Sequence, residues 1–152
     1  MLNYSVAELR ITSNKKQFLV LLLADEQESM IDKYLERGEM FALYDDELKA
    51  ISVVTCEGES IYEIKNIAVY PSFQRKGYGK QLVDYLFEYY QGRCSVMYVG
   101  TGDTTSTLSF YKHCGFRISH RLKNFFIDNY DQPIYEDGKQ LTDMVYLRKD
   151  FS

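Results

Sequence analysis

Two closely spaced glycines lie between a predicted strand and a predicted helix, and this order most restricts the fold. The strand is predicted at Ile61–Tyr70 by its β-branched and aromatic residues, and Pro71 ends it. The helix is predicted at Lys80–Tyr90, where apolar residues recur on one face. Between them, residues 74–79 read Gln-Arg-Lys-Gly-Tyr-Gly. A strand that turns sharply into an amphipathic helix indicates a mixed α/β (α+β) fold.

The glycine segment, residues 74–79, has the properties of a diphosphate-binding turn. Unpaired backbone N–H groups and the positive end of the following helix would face the same point. Gly77 and Gly79 let the backbone approach phosphate oxygens closely. Arg75 and Lys76 add positive charge in a chain whose formal charge is -4. The segment is neither a Walker loop nor a dinucleotide fingerprint, and a tight turn without phosphate binding is the alternative interpretation.

The rest of the chain alternates between strand-like and helix-like patterns. Strands are predicted at Tyr4–Ile11, Phe41–Tyr44, Leu48–Thr55, Ser95–Thr101, Phe116–Phe125 and Leu141–Leu147. Helices are predicted at Lys15–Ala24, Gln27–Leu35 and Thr104–Cys114. The 152 residues contain no internal repeat and no linker, so the sequence predicts a single domain over residues 1–152.

The glycine segment resembles the signature of the GNAT superfamily of acetyl-CoA-dependent N-acetyltransferases: Gln or Arg, two residues, Gly, one residue, then Gly or Ala. Residues 74–79 match this signature fully. Ile64–Tyr70 looks like the family's fourth strand, and Phe110–Phe116 looks like its late helix, which ends in Tyr, three residues, Gly, Phe. The resemblance implies a mostly antiparallel central sheet of about six to seven strands, splayed between strands four and five and flanked by about four helices.

The resemblance also implies which residues contact acetyl-CoA. Backbone groups of Ile67, Ala68 and Val69 are expected to pair with the pantetheine arm like an added strand, and an N–H near Ile67 or Ala68 to face the thioester oxygen. The loop contacts are expected from Gln74, Arg75, Lys76, Gly77, Tyr78, Gly79 and Lys80. Thr104 stands where many relatives have an asparagine, so it either replaces that coenzyme contact or caps its own helix.

Two side chains are candidates for proton transfer. Glu63 lies fourteen residues before Gly77, where some members of the family place a glutamate base, and a solvated glutamate on the outer face of the strand is the alternative. Tyr111 lies where the family commonly places a tyrosine beside the coenzyme sulfur, and its phenol could protonate the departing thiolate. Since the chain has 14 tyrosines, ordinary packing is the alternative for Tyr111.

These assignments predict an N-acetyltransferase in which a primary amine attacks acetyl-CoA directly in a ternary complex. The acceptor is left open among small amines, aminoglycoside-like compounds, amino acids and protein amines. A non-catalytic acyl-CoA-binding sensor or assembly module is the alternative function, and the replacement of the usual asparagine by Thr104 keeps it open.

The histidines and cysteines do not predict a metal site. Neither His113 nor His120 has a carboxylate or cysteine partner at ligand spacing. Cys114 precedes a capping glycine and is expected to be a buried packing residue rather than a nucleophile. The three cysteines are too far apart for a zinc knuckle or a redox pair, which fits a reducing compartment, so a cytoplasmic location is expected.

Charge and hydropathy restrict the partners. The chain has 22 acidic against 18 basic residues and no run of Lys and Arg, so a nucleic-acid partner is not expected. The longest apolar run, Phe18–Ala24, is far shorter than the roughly 20 residues that span a bilayer, so no membrane span is expected. Exposed aromatic residues such as Phe125 and Phe126 would make a homodimer plausible.

Acidic side chains are candidates for binding the amine acceptor. One group lies in a late loop that also holds Tyr130 and Tyr135, and its acids are Asp128, Asp131, Glu136 and Asp137. A second group lies around the first helical pair, at Asp25, Glu26, Glu28, Asp32 and Glu36. A solvated loop and a solvated helix face are the alternative interpretations.

Overall fold

The computed structural model describes residues 7–12 and 27–151. Its helices are α1 (Glu28–Asp32), α2 (Tyr78–Tyr90), α3 (Thr105–Cys114) and α4 (Phe125–Asn129). Its strands are β1 (Glu8–Thr12), β2 (Glu39–Asp45), β3 (Glu47–Gly58), β4 (Ile61–Val69), β5 (Val96–Gly102), β6 (Arg117–Leu122), β7 (Tyr135–Glu136), β8 (Lys139–Gln140) and β9 (Met144–Asp150). None of these described helices is long and apolar enough to cross a membrane. The helix predicted at Lys15–Ala24 lies outside the described residues, as does the start of the strand predicted at Tyr4–Ile11.

Seven of the described strands form one sheet in the order β1-β2-β3-β4-β5-β9-β6, and β7 pairs with β8 separately. The pairs β1–β2, β2–β3, β5–β9 and β6–β9 are antiparallel, while β4 and β5 are parallel. This confirms the predicted mixed, mostly antiparallel sheet. The parallel ladder runs from Ile61 opposite Val96 to Ile64 opposite Val99 and ends there, although β4 continues to Val69. The predicted divergence of strands four and five corresponds to this end of the ladder.

The chain divides into two compact units, each with its own core. The described part of the first unit consists of residues 7–12, 27–55 and 65–91, which include β1, β2, α1 and α2. The second unit consists of residues 56–64 and the chain from Gly92 onward, which includes β5, β9, α3 and α4. That residues 1–152 act as a single domain stays a prediction.

In the first unit, β2 is buried on both faces. One face belongs to a core cluster of Ile31, Tyr34, Leu35, Met40, Ala42, Ile51, Val53 and Ala68. Phe41 lies on the other face because side chains alternate along a strand, and the Tyr90 ring of α2 meets it edge-on at 5.9 Å. The Tyr90 hydroxyl also donates a hydrogen bond of 2.7 Å to Glu39. Coverage on both faces explains why Met40–Leu43 is a continuous buried apolar run.

In the second unit, the paired strands β5 and β9 have one buried face and one half-buried face. Val99 lies opposite Leu147 in the ladder, and both side chains are buried. Helix α3 packs on β5 and adds Tyr111 to the buried residues. The alternate positions, which include Tyr98 and Tyr146, point to the opposite face and remain partly exposed. That second face carries the polar and aromatic side chains of the candidate site.

The segment after β6 differs from the prediction. The strand predicted to continue to Phe125 ends at Leu122, and Phe125 begins α4 instead. The strand stops because Asn124 adopts a left-handed conformation, with φ 58°, at the N-cap of this helix. The prediction that Phe125 and Phe126 are exposed is also wrong. Phe126 is buried and packs on Tyr130 with 5.5 Å between ring centres, so these rings give no support for a homodimer.

Helix α1 is shorter than the helix predicted at Gln27–Leu35, because turns replace it after Asp32. Tyr34 and Leu35 are nevertheless buried, as the apolar spacing predicts. The turn ends where the Gly38 N–H donates to the Tyr34 carbonyl at 3.0 Å. A Cβ at Gly38 would lie 2.5 Å from a methyl carbon of buried Val53, so only glycine fits there without a shift.

Gly38→Ala is therefore expected to lower the free energy of unfolding by about 1–3 kcal/mol, because the added methyl group overfills a packed core. Denaturant unfolding measures this value. Gly58→Ala is the matched control, since its Cβ would meet the Ile61 side chain at an ordinary 3.5 Å; its stability should stay within about 1 kcal/mol of the wild type. Wild-type stability for Gly38→Ala would contradict the packing argument.

Candidate functional site

The glycine segment joins β4 to α2 after a short 3-10 turn at Pro71–Phe73. The side-chain amide of Gln74 donates a hydrogen bond of 3.1 Å to the Val69 carbonyl, which ties the segment to the strand that it leaves. Arg75 and Gly77 both have left-handed conformations, with φ of 63° and 88°. Because Gly77 adopts this conformation without steric cost, the chain can enter the helix directly from the turn.

The backbone N–H groups of residues 75–79 have no backbone acceptor within the described part of the chain. The first N–H groups of a helix lack partners inside it, and the positive end of the helix dipole lies at the same place. Arg75, Lys76 and Gly77 are exposed, and no atom of the described residues lies within 4 Å of the position that a Cβ of Gly77 would occupy. This arrangement can bind an anion such as a diphosphate.

Side chains from β2 and β3 hold both ends of the glycine segment. The Tyr78 hydroxyl donates a hydrogen bond of 2.9 Å to Asp45 Oδ2. The Lys49 ammonium lies 3.6 Å from the ring centre of Phe73 and 5.5 Å from that of Tyr78, in a cation–π arrangement. The hydrogen bond with Asp45, followed by burial, raises the pKa of Tyr78, so its phenol stays protonated and keeps donating.

Apart from Thr104, the other residues predicted to contact the coenzyme also lie in the first unit. Ile67, Ala68 and Val69 form the end of β4, beyond the last residue of that strand paired with β5. Ala68 is buried in the core cluster, while Ile67 and Val69 are half-buried. Lys80 forms an ion pair of 2.9 Å with Asp84, one turn further along α2.

Glu63 lies in the second unit, half-buried in β4. The Tyr146 hydroxyl of β9 donates a hydrogen bond of 3.3 Å to Glu63 Oε2. Burial, followed by the charge of Glu63 and this hydrogen bond, raises the pKa of Tyr146, so the phenol remains a donor at neutral pH. Glu63 is thus not a freely solvated carboxylate on an outer face.

An aromatic cluster surrounds this hydrogen bond, and it consists of Tyr98, His120 and Tyr146. The His120 ring stacks on the Tyr146 ring with 4.9 Å between centres and 5° between planes. The Tyr98 ring meets His120 edge-on at 6.0 Å and Tyr146 at 6.5 Å. Arg148 lies at the edge of the cluster, where it donates to the Tyr98 hydroxyl at 3.4 Å and pairs with Asp150 at 2.7 Å. The sequence interpretation did not assign this cluster to the site.

Tyr111, the predicted proton donor, is buried in α3. Its ring meets Phe110 and Phe116 edge-on at 5.0 and 5.8 Å. Cys114, one turn later, is buried, as expected of a packing residue. Tyr111 therefore belongs to the core of the second unit through its ring, whichever role its hydroxyl has.

Thr104 occupies the N-cap position of α3, but its side chain makes no capping hydrogen bond. The interpretation that this hydroxyl caps its own helix is therefore wrong. The Thr104 hydroxyl donates instead to Glu136 at 2.7 Å, and the Thr107 hydroxyl donates to the same carboxylate oxygen. Ser106 donates to Asp137 in the same way. Two acids of the predicted amine-binding loop are thus bound to the start of α3, whereas Asp128 is exposed.

No group of three or more His, Cys, Asp or Glu side chains that could hold a metal ion occurs within residues 7–12 and 27–151. His120 stacks on Tyr146 and has its Nδ1 at 2.9 Å from the Ser119 hydroxyl. His113 is exposed on α3.

The glycine turn at a helix N-terminus, on a mixed sheet whose parallel pair ends early, is typical of an α/β coenzyme-binding transferase. The family model for the acetyltransferase (GNAT) domain matches residues 36–118, which include the glycine segment, Glu63 and Tyr111. The chain belongs to the GNAT acetyltransferase family and is an acyltransferase. This membership favours an enzyme over a non-catalytic acyl-CoA-binding module.

Individual relatives extend the similarity over nearly the whole chain. An uncharacterized N-acetyltransferase of Bacillus subtilis (strain 168), YvbK, is 40% identical over 146 residues, which cover 94% of each chain. A crystal structure of a Bacillus subtilis acetyltransferase in complex with CoA has a TM-score of 0.84 and 40% identity, covering 96% of this chain and 98% of that one. A GNAT family acetyltransferase from Elizabethkingia anophelis with acetyl-CoA bound has a TM-score of 0.87 and 34% identity, covering 95% and 98%.

Tyr78→Phe is expected to lower the free energy of unfolding by about 1–3 kcal/mol. The substitution removes the donor to Asp45, whose other oxygen is buried without a partner in the described residues. Urea unfolding measures the change. Tyr135→Phe is the control, because Tyr135 is 65% exposed, and it should change stability by no more than about 0.5 kcal/mol. Equal stabilities for the two variants would argue against the Tyr78–Asp45 contact.

Proposed function

We propose that this protein transfers the acetyl group of acetyl-CoA to a primary amine by direct attack in a ternary complex, as a cytoplasmic enzyme. Its family membership and the coenzymes bound to two solved relatives support this proposal. The observation that carries it is the run of backbone N–H groups at residues 75–79 that have no backbone acceptor among residues 7–12 and 27–151. A diphosphate is the part of acetyl-CoA that such a helix N-terminus binds.

The first unit supplies the coenzyme contacts in this proposal. Amides of the glycine segment bind the diphosphate, and Arg75 and Lys76 add positive charge beside it. Backbone groups of Ile67, Ala68 and Val69 pair with the pantetheine arm as an additional strand would. An N–H of Ile67 or Ala68 donates to the thioester oxygen and stabilises the oxyanion of the tetrahedral intermediate. Thr104 of the second unit is a further candidate for a coenzyme contact.

Glu63 and Tyr111 are the proton-transfer residues in this proposal. The amine must be neutral to attack, yet its pKa of about 10 keeps it protonated at neutral pH. Glu63 accepts that proton, directly or through water, and the nitrogen then attacks the thioester carbon. The C–N bond forms, the C–S bond breaks, and the hydroxyl of Tyr111 gives a proton to the leaving thiolate. The second proton that the nitrogen loses then restores the Tyr111 hydroxyl. An acetamide and free CoA are the products.

The acceptor is a primary amine, and the acidic balance of the chain favours a cationic one. Small amines, aminoglycoside-like compounds, amino acids and protein amines are the classes to test. Release of free thiol from acetyl-CoA, measured against a panel of these amines, identifies the acceptor class. Coenzyme binding without turnover on any amine would favour the acyl-CoA-binding module instead.

Gly77→Asp is expected to weaken acetyl-CoA binding at least about tenfold, because a carboxylate would face the diphosphate at the start of α2. Isothermal titration calorimetry measures the affinity. Gly77→Asn separates charge from backbone strain at the same position. Gly92→Asp adds the same charge at a glycine with nearly the same φ, 92° against 88°, and with equally open surroundings. Wild-type affinity in Gly77→Asp would count against diphosphate binding by the glycine segment.

Glu63→Gln is expected to lower kcat at pH 7 by about 100-fold with little change in coenzyme affinity, since the amide cannot accept the amine proton. Because an amine that is already deprotonated needs no base, the loss should shrink as the pH rises toward the amine pKa. Tyr111→Phe should instead slow the departure of the thiolate at every pH below the pKa of the CoA thiol. If both variants turn over like the wild type across pH, these two roles are wrong although the family membership stands.

A further inference from the structure

The hydrogen bond between Tyr146 and Glu63 crosses an intervening strand. Glu63 lies on β4 beside Tyr98 of β5, and Tyr146 lies on β9 opposite Gly100 of β5. Two strand spacings separate the outer strands, which is about 10 Å. A glutamate and a tyrosine can meet over that distance only if the tyrosine ring lies across the middle strand rather than standing upright on the sheet.

Gly100 provides the space for the ring to lie across β5. A Cβ at Gly100 would be 3.0 Å from Cζ of the Tyr146 ring and 2.5 Å from the sulfur of Met144. A side chain at this position would therefore require the Tyr146 ring to shift by a few tenths of an ångström and the Met144 side chain to move. The direction of the Tyr146 hydroxyl thus depends on Gly100 having no side chain.

His120 supports the same ring from β6. It lies opposite Tyr146 in the β6–β9 ladder, and the two rings are parallel within 5°. The Tyr146 ring is consequently positioned by a stacked ring from one neighbouring strand and by the empty position at Gly100 on the other. This fixes the direction in which its hydroxyl hydrogen-bonds.

Tyr146 donates to the Glu63 carboxylate, whereas the neighbouring Tyr98 hydroxyl has a different partner. Tyr98 lies beside Glu63 in the ladder, but its hydroxyl accepts from Arg148. Arg148 in turn pairs with Asp150, which directs its charge along β9. Glu57, the other carboxylate near Tyr146, adds to the negative charge that keeps the phenol protonated.

We propose that Tyr146 is a positioning residue that holds the Glu63 carboxylate in its acting orientation, with Gly100 and His120 fixing the tyrosine ring. This inference rests on the proposed role of Glu63 as the base. A base must be within hydrogen-bond reach of the proton that it takes, so a glutamate free to rotate in its half-buried position would be a slower base. Tyr146 itself touches neither acetyl group nor amine in this proposal.

Tyr146→Phe tests the proposal, because it removes the hydroxyl and keeps the ring. We expect kcat to fall about tenfold at pH 7 with an unchanged KM for acetyl-CoA. Gly100→Ala should cause a smaller loss, since the added methyl group shifts the ring that carries the hydroxyl. Tyr89→Phe is the control with wild-type kcat, because it removes a tyrosine–glutamate hydrogen bond of the same kind, 3.2 Å to Glu39, from the first unit.

A double-mutant cycle separates this inference from the proposed function. In the Glu63→Gln background, Tyr146→Phe should cause no further loss, because a residue that acts through Glu63 has nothing left to position. A tenfold loss that persists in that background would overturn the inference. Wild-type kcat in Tyr146→Phe, alongside an impaired Glu63→Gln, would also overturn it and leave the role of Glu63 standing. An unimpaired Glu63→Gln would instead overturn the proposed base. Far-ultraviolet circular dichroism and melting curves verify that each variant is folded.

Discussion

The backbone N–H groups at the start of α2 need acceptors that the helix itself cannot provide. A side chain at the N-cap commonly supplies one of them, but here the N-cap is Gly77, which has no side chain and a left-handed conformation. The amides consequently stay available to a ligand. Their direction is fixed because Gln74 is bonded to the end of β4 and Tyr78 is bonded to Asp45. The start of α2 is thus suited to binding an anion.

The hydrogen bond between Tyr146 and Glu63 in the second unit also depends on a position without a side chain, Gly100. Gly100 lets an aromatic ring lie flat over β5, so a hydroxyl from β9 reaches a carboxylate on β4. The phenol stays protonated because it is buried beside that carboxylate. The Tyr146 hydroxyl can therefore orient Glu63 as a neutral hydrogen-bond donor.

Sequence patterns predicted the parts of the structure that depend on residues close together in the sequence. The glycine segment, α2 and the order of the strands follow from turn residues and apolar spacing, and family motifs extend that interpretation. The strand predicted to reach Phe125 was wrong because a single left-handed residue, Asn124, ended it. The Tyr146–Glu63 contact joins residues 83 positions apart and requires the ladder registers of two strands. The alternation of polar and apolar residues along one strand does not specify how that strand is aligned with its neighbours.

The acids of the late loop show why a count of charges does not locate an amine site. Glu136 accepts hydrogen bonds from Thr104 and Thr107 at the start of α3, and Asp137 accepts one from Ser106. Negative charge at a helix N-terminus is stabilising, so these two carboxylates have a structural role that the sequence pattern did not predict. They also explain why Thr104 can be buried without capping its helix. Recognition of a cationic acceptor by this loop would therefore rely on acids that α3 does not bind, such as the exposed Asp128.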